Sequence, residues 1–339
     1  MTQTVPAVPA SATPAAPTTP DRLRRVLRAV ALVACAPYLS LKIAWIAGSH
    51  LGIPDGSSLL EHRAEMAVAN GVTVLMDAMV IVLTLLLTRP WGLRVPAWLL
   101  VLPMWGAAGL LTPIMTGFPV QLAVKALGGT VRSADGGREP FLDEWVFGVV
   151  YTGFIVQGLA LGTLFVLYAR DRWGHLWQGR VWDLPRALTG TGQRVVAALA
   201  AVLALLPLTA HLLWASGSTT GLNAGRIADR TSDFYVLQVQ DAAFLAVAVA
   251  GGLLLAFRRG RALPVKVPLA LASVGSAATA CWALWLSVAS LLSLDDADHR
   301  PTTLMVLAYA GQMITGILVA GLVVRFLVSR SAAANRLAA

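Results

Sequence analysis

Four residues stand out for chemistry because they are ionisable yet lie inside long apolar runs: Lys42, Asp77, His211 and Asp241. An ionisable group inside a membrane helix costs roughly 2.5–3.5 kcal/mol on insertion scales, so it faces the bundle interior or a polar cavity and has a partner. Asp77 is twelve residues from Glu65 and twelve from Arg89. At about 1.5 Å per residue it is roughly 18 Å from either end, near the midplane and too deep to snorkel. Lys42 is six residues from Gly48, His211 six from Gly217 and Asp241 eight from Asp233, so these three occupy the outer third of their spans. The set suits a polar cavity open to the outside, with Lys42 and His211 facing carboxylates and Asp77 as the deepest proton-exchangeable group. It also suits a plainer role, in which Lys42 pairs with an acid or reaches the surface merely to anchor its helix. Gln157, Gln238, Gln240 and Gln312 would extend such a network or serve as interhelical hydrogen-bonding glue.

Other chemistry is sparse. Asp295-Asp296-Ala297-Asp298-His299 has residue types that suit a divalent cation. No ligand spacing supports one, and an acidic exported loop accounts for them equally. His50 and His62, with Asp55 and Glu61, are read the same way, and no metal site is assigned. The two cysteines, Cys35 and Cys281, lie in separate apolar runs, so there is no CxxC motif. No intramembrane histidine pair offers to clamp a haem, and P-loop, dinucleotide-fingerprint, HExxH and GxSxG patterns are absent. No catalytic residue and no cofactor are assigned.

The elements that must carry these residues follow from composition. Hydrophobic residues make up 57% and charged residues 13% of 339, against about 45–50% and roughly 25% in soluble chains, which excludes a soluble globular enzyme. Eight apolar runs are long enough to cross a hydrocarbon core of about 30 Å: roughly 29–48, 66–88, 95–117, 145–169, 195–215, 235–257, 267–292 and 303–324. Of the 26 Lys and Arg residues, eighteen fall in alternate connections that include both ends of the chain, and seven fall in the others. Because retained loops keep positive charge, a multi-pass protein of the cell membrane with both termini cytoplasmic is expected. The net charge of +9 is therefore topological, and no nucleic-acid partner is implied. Residues 1–23 read as a disordered cytoplasmic tail, 170–194 as a cytoplasmic linker too short for a catalytic domain, and 331–339 as a C-terminal tail. Leu32-Val33-Ala34-Cys35 has the form of a lipobox, but the apolar run before it is too short for a signal peptide. Val120, Val124 and Leu127 predict a short helix on the outer membrane surface or a collapsed loop.

The most specific signal is self-similarity. Lys42, Trp45, Gly48-Ser49 and Gly52 recur with identical spacing as His211, Trp214, Gly217-Ser218 and Gly221. Tyr151, Gly153 and Gly158 recur as Tyr309, Gly311 and Gly316. The reading is an all-α membrane protein of eight transmembrane helices arranged as two parallel four-helix repeats, 24–169 and 195–330, related by a pseudo-two-fold along the membrane normal. Gly158 and Gly162 form a GxxxG pair and Gly316 its small-residue relative. Together with Gly153 and Gly311 they predict close helix packing, either between the halves or within the bundle.

The stretch Pro37-Tyr-Leu-Ser-Leu-Lys42-Ile-Ala-Trp45, with Gly48-Ser49 and Gly52, resembles uncharacterised multi-pass integral membrane proteins of actinobacteria. The resemblance implies a class and no functional residues. Three functional readings follow from the residues: a transporter- or permease-like protein with an outward-facing polar cavity; an accessory or sensory subunit docking a membrane partner or a second copy of itself; and an intramembrane lipid-processing enzyme.

Overall fold

The structure is a computed structural model that describes residues 19–55, 57, 63–129, 142–185, 189–228, 230–260, 262–292 and 297–338. The chain folds into helices α1 (Thr19–Ile46), α2 (Arg63–Thr88), α3 (Ala97–Ala126), α4 (Glu144–Trp173), α5 (Thr191–Ala215), α6 (Ala224–Ala228), α7 (Ser232–Phe257), α8 (Lys266–Leu292) and α9 (Thr303–Ala338). All but the single-turn α6 are long and apolar enough to cross a membrane. This is the build of a polytopic membrane protein, because in hydrocarbon a helix satisfies its backbone polar groups within one segment.

The helices coincide with the eight expected spans, and the differences lie at their ends. Helix α1 starts at Thr19, ahead of Arg24, and residues 1–18 lie outside the described residues. Helix α3 runs unbroken to Ala126, so 119–127 is no separate surface helix but the far end of a span. Pro119 does not end α3 there. Helix α9 continues to Ala338 through Ser331-Ala-Ala-Ala, where alanine favours helix without adding hydropathy.

Two sets of contacts define opposite faces. On the terminal face, Arg24 pairs with Asp171 and Arg258 donates to the Trp182 carbonyl. There Arg330 donates to the carbonyls of Leu176 and Gln178, and Arg180 bridges to Pro264. The 174–185 segment is thereby tied down across α7, α8 and α9. On the far face, Asp143 donates its backbone N–H to the Gly52 carbonyl at 3.0 Å, and Thr302 donates to the Gly221 carbonyl.

The buried Tyr168 closes the terminal end of the first half. Its hydroxyl donates to the Gly92 carbonyl at 3.0 Å and accepts from Arg172 Nη1 at 2.6 Å, while Arg172 Nη2 reaches the Val95 carbonyl. Tyr168→Phe leaves one guanidinium arm unpaired and removes one of the two hydrogen bonds to the Gly92 carbonyl, which keeps the Val95 N–H. It is expected to cost about 1–2 kcal/mol in the unfolding free energy of the detergent-solubilised protein; an unchanged unfolding midpoint would show that water replaces the phenol.

Packing is tightest where small residues let backbones meet. A Cβ on Gly251 would lie 2.4 Å from Ala272 N, and one on Gly275 2.6 Å from Ala248 N, which locks α7 to α8. The two halves meet through α3 and α8: a Cβ on Gly109 would lie 2.4 Å from the Ala277 carbonyl, and Trp105 Nε1 donates to Ser276 Oγ at 3.3 Å. The sequence-predicted glycines are used differently from an interface between halves. Gly153 faces the Ala34 carbonyl of α1 and Gly158 faces Met115 of α3; Gly311 faces Pro207 of α5 and Gly316 faces Ala280 and Ser276 of α8. A Cβ on Gly162 would meet nothing within 4 Å. Gly153, Gly158, Gly311 and Gly316 therefore face helices of their own halves, and the seam between halves is formed by α3 against α8 and α7.

Candidate functional site

Both far-face corners are built by the same local rules. Gly48 and Gly217 end α1 and α5 with φ of +93° and +98°, and Gly52 and Gly221 follow with φ of +73° and +72°, values at which only glycine escapes a Cβ clash. The indole of Trp45 donates to the Leu51 carbonyl at 2.7 Å, and that of Trp214 to the Thr220 carbonyl at 2.9 Å. Ser49 Oγ accepts from the Leu51 N–H, and Ser218 Oγ from the Thr220 N–H. Each turn is thus clipped back onto a tryptophan, one helical turn beyond the cationic or imidazole side chain.

The four candidate residues form two clusters, one per half. In the first, Lys42 Nζ lies 4.9 Å from the ring centroids of both Tyr38 and Trp45, and donates to Asn70 Oδ1 of α2 at 2.8 Å. Deeper in the same half, Gln157 Nε2 of α4 donates to Asp77 Oδ1 at 3.4 Å. Asp77 Oδ2, Asn70 Nδ2 and Gln157 Oε1 are buried without a hydrogen-bond partner. Lys42 accordingly neither snorkels nor bonds a carboxylate; an amide and two aromatic faces hold its ammonium.

In the second cluster, His211 of α5 is 1% exposed, with Nδ1 2.8 Å from Gln238 Oε1 of α7 and Nε2 3.0 Å from Gln312 Oε1 of α9. Its ring meets Trp214 edge-on at 5.3 Å. Asp241 Oδ2 lies 4.0 Å from Nδ1. A neutral imidazole donates from one nitrogen only. Either one of the two amides turns its NH2 toward the ring, or the ring carries both protons with the Asp241 carboxylate as counter-charge.

Both clusters span the first, second and fourth long helices of their half, but their polar groups are not matched position by position. Three expectations are corrected. The four residues do not converge on one site, since Lys42 and Asp77 belong to one half and His211 and Asp241 to the other. His211, Asp77 and Asp241 are buried between helices, so among the described residues no outward-open cavity exposes them. And the carboxylate expected opposite Lys42 is replaced by Asn70, which sequence reading passed over because an asparagine in a span carries no charge to mark it.

Of the other groups, Gln240 reaches across the seam to Thr116 Oγ1 at 3.3 Å, with Nε2 unpartnered. His299 packs on Gly225, whose N–H donates to the Asp298 carbonyl at 2.8 Å; Asp295 and Asp296 lie outside the described residues, as do Glu61 and His62. Among the described residues no three His, Cys, Asp or Glu side chains gather as a metal-binding group. Cys35 is buried and donates to the Ala31 carbonyl within its own helix. In comparisons with known proteins, no family model, no curated protein and no solved structure matches this chain.

Proposed function

We propose that this chain is a transporter- or permease-like membrane protein built from a duplicated four-helix unit, with its arginine-rich terminal face in the cytoplasm and Asp77 as its proton-exchanging group. The observation that carries the reading is Asp77 itself. It is a carboxylate in the middle of α2, 4% exposed, held by one long amide contact and with its second oxygen unpartnered. A group so costly to insert, and so incompletely satisfied, serves structure poorly and suits a proton or cation that arrives from elsewhere. The matching corners at Trp45 and Trp214 support the duplication. The buried carboxylates then correspond to a closed state, and solute entry to Asp77 requires movement of α1, α2 and α4 against one another.

Gly158 and Gly316 pack on Met115 and Ala280 within the bundle, whereas a Cβ on Gly162 would meet nothing within 4 Å. The test is flux. The full chain reconstituted in liposomes enclosing a pH-sensitive dye, under an imposed diffusion potential, is expected to move protons. Asp77→Asn is expected to lower that flux at least tenfold while the protein still elutes as a single species. Equal flux in the variant removes Asp77 from the mechanism, and no flux in the unaltered chain overturns proton transport.

A further inference from the structure

The terminal face carries a feature that transport leaves unused. A cavity of about 330 Å3 opens there between the start of α1, the end of α2 and the buried Tyr168. Its walls are Arg24, Arg25, Arg28 and Arg89, with Asp21 as the one acidic side chain lining it, over a floor that includes Leu87, Pro90 and Leu93. Arg24 is already paired with Asp171. Arg25 and Arg28 of α1 and Arg89, just past the end of α2, line the same cavity, which puts an excess of positive charge at the mouth of an apolar recess. The N-terminal end of α1 adds a partial positive charge from its backbone dipoles.

We propose that this cavity binds the phosphodiester headgroup of an anionic phospholipid of the cytoplasmic leaflet. Guanidinium groups match phosphate oxygens in bidentate geometry, and basic pockets between transmembrane helices on the cytoplasmic side hold acidic headgroups. A lipid fits better than free phosphate because the arginines border apolar side chains of the same cavity, Leu87, Pro90 and Leu93, and Leu93 is exposed at the rim. Those side chains offer an acyl chain a path that a free anion would not use. The site lies at the opposite end of α1 and α2 from the Lys42–Asn70 contact. It rests on the cytoplasmic placement of the terminal face and not on transport.

The experiment is native mass spectrometry of the full chain in non-ionic detergent, titrated with phosphatidylglycerol and, separately, with phosphatidylcholine. One phosphatidylglycerol per chain is expected to bind in preference to phosphatidylcholine. The triple variant Arg25→Gln/Arg28→Gln/Arg89→Gln, which leaves the Arg24–Asp171 pair in place, is expected to weaken that binding about a hundredfold. The control triple Arg194→Gln/Arg259→Gln/Arg325→Gln removes the same charge from exposed positions elsewhere and is expected to leave it unchanged. Equal binding of the two lipids by the unaltered chain overturns the proposal without any variant. Equal losses in the two triples also overturn it, since bulk charge then explains the binding. Displacement of phosphatidylglycerol by millimolar inorganic phosphate shows a free-anion site and overturns the lipid assignment.

Discussion

Gly109→Leu is expected to destabilise the protein by about 3 kcal/mol or more, at the upper end of overpacking costs. The reason is the atom that a side chain would meet. A Cβ at Gly109 falls 2.4 Å from the Ala277 carbonyl oxygen and 2.6 Å from Cys281 Sγ, and a backbone carbonyl in a packed helix cannot swing aside as a side-chain tip does. Relief requires α3 and α8 to move apart, which also breaks the Trp105–Ser276 hydrogen bond nearby. The loss falls on the seam that joins the halves. Gly162→Leu is the matched control: a Cβ there meets nothing within 4 Å, and its effect is expected to stay within about 0.5 kcal/mol. Denaturation in mixed detergent micelles measures both. Similar midpoints for the two variants would show that the seam is not the tight contact described.

His211→Ala is the second large effect, expected at about 3 kcal/mol. Interhelical hydrogen bonds in membranes average only about 0.6 kcal/mol, so the two bonds to Gln238 and Gln312 would account for about 1 kcal/mol. The remainder comes from what truncation leaves behind. Two buried amide side chains lose their partner, each at a cost of roughly 1–3 kcal/mol where neither helix nor solvent can replace it. Trp214 also loses the ring it packs against. Lys42→Ala is expected to cost less, about 1 kcal/mol, because Lys42 is only half-buried and makes one hydrogen bond, to Asn70. A double-mutant cycle of His211→Ala with Gln312→Leu isolates the shared term. Additive losses would show that the imidazole and the amide do not act as one unit.

The fold was legible to the extent that it depends on the bilayer. Each span had to be a continuous apolar helix, and no tertiary contact was needed to say so. Span ends were less legible: α9 runs past the apolar stretch because Ala332 to Ala334 favour helix without being strongly hydrophobic, and α3 absorbs 119–127 because a hydropathy reading does not see that Pro119 leaves the helix unbroken. The site was legible as residues and illegible as an arrangement. Lys42, Asp77, His211 and Asp241 announced themselves through the cost of their charge. Asn70 did not, and neither did the choice of amides over carboxylates as the immediate partners of Lys42 and His211.

The amino-acid sequence by itself therefore determined the membrane class, the eight spans, the two tryptophan corners and the identity of the buried ionisable residues. These follow from transfer free energy and local backbone geometry, which act along the chain. Tertiary structure alone decided that the polar residues divide into two clusters, that the halves join through α3 against α8 and α7, and that three arginines of α1 and Arg89 beyond α2 line one cavity. Lipid tails are as apolar as leucine, so hydrophobicity does not select which helix faces meet inside a membrane. That choice rests on close packing at residues such as Gly109 and on hydrogen bonds such as those of His211, and both exist only once helices distant in sequence stand side by side.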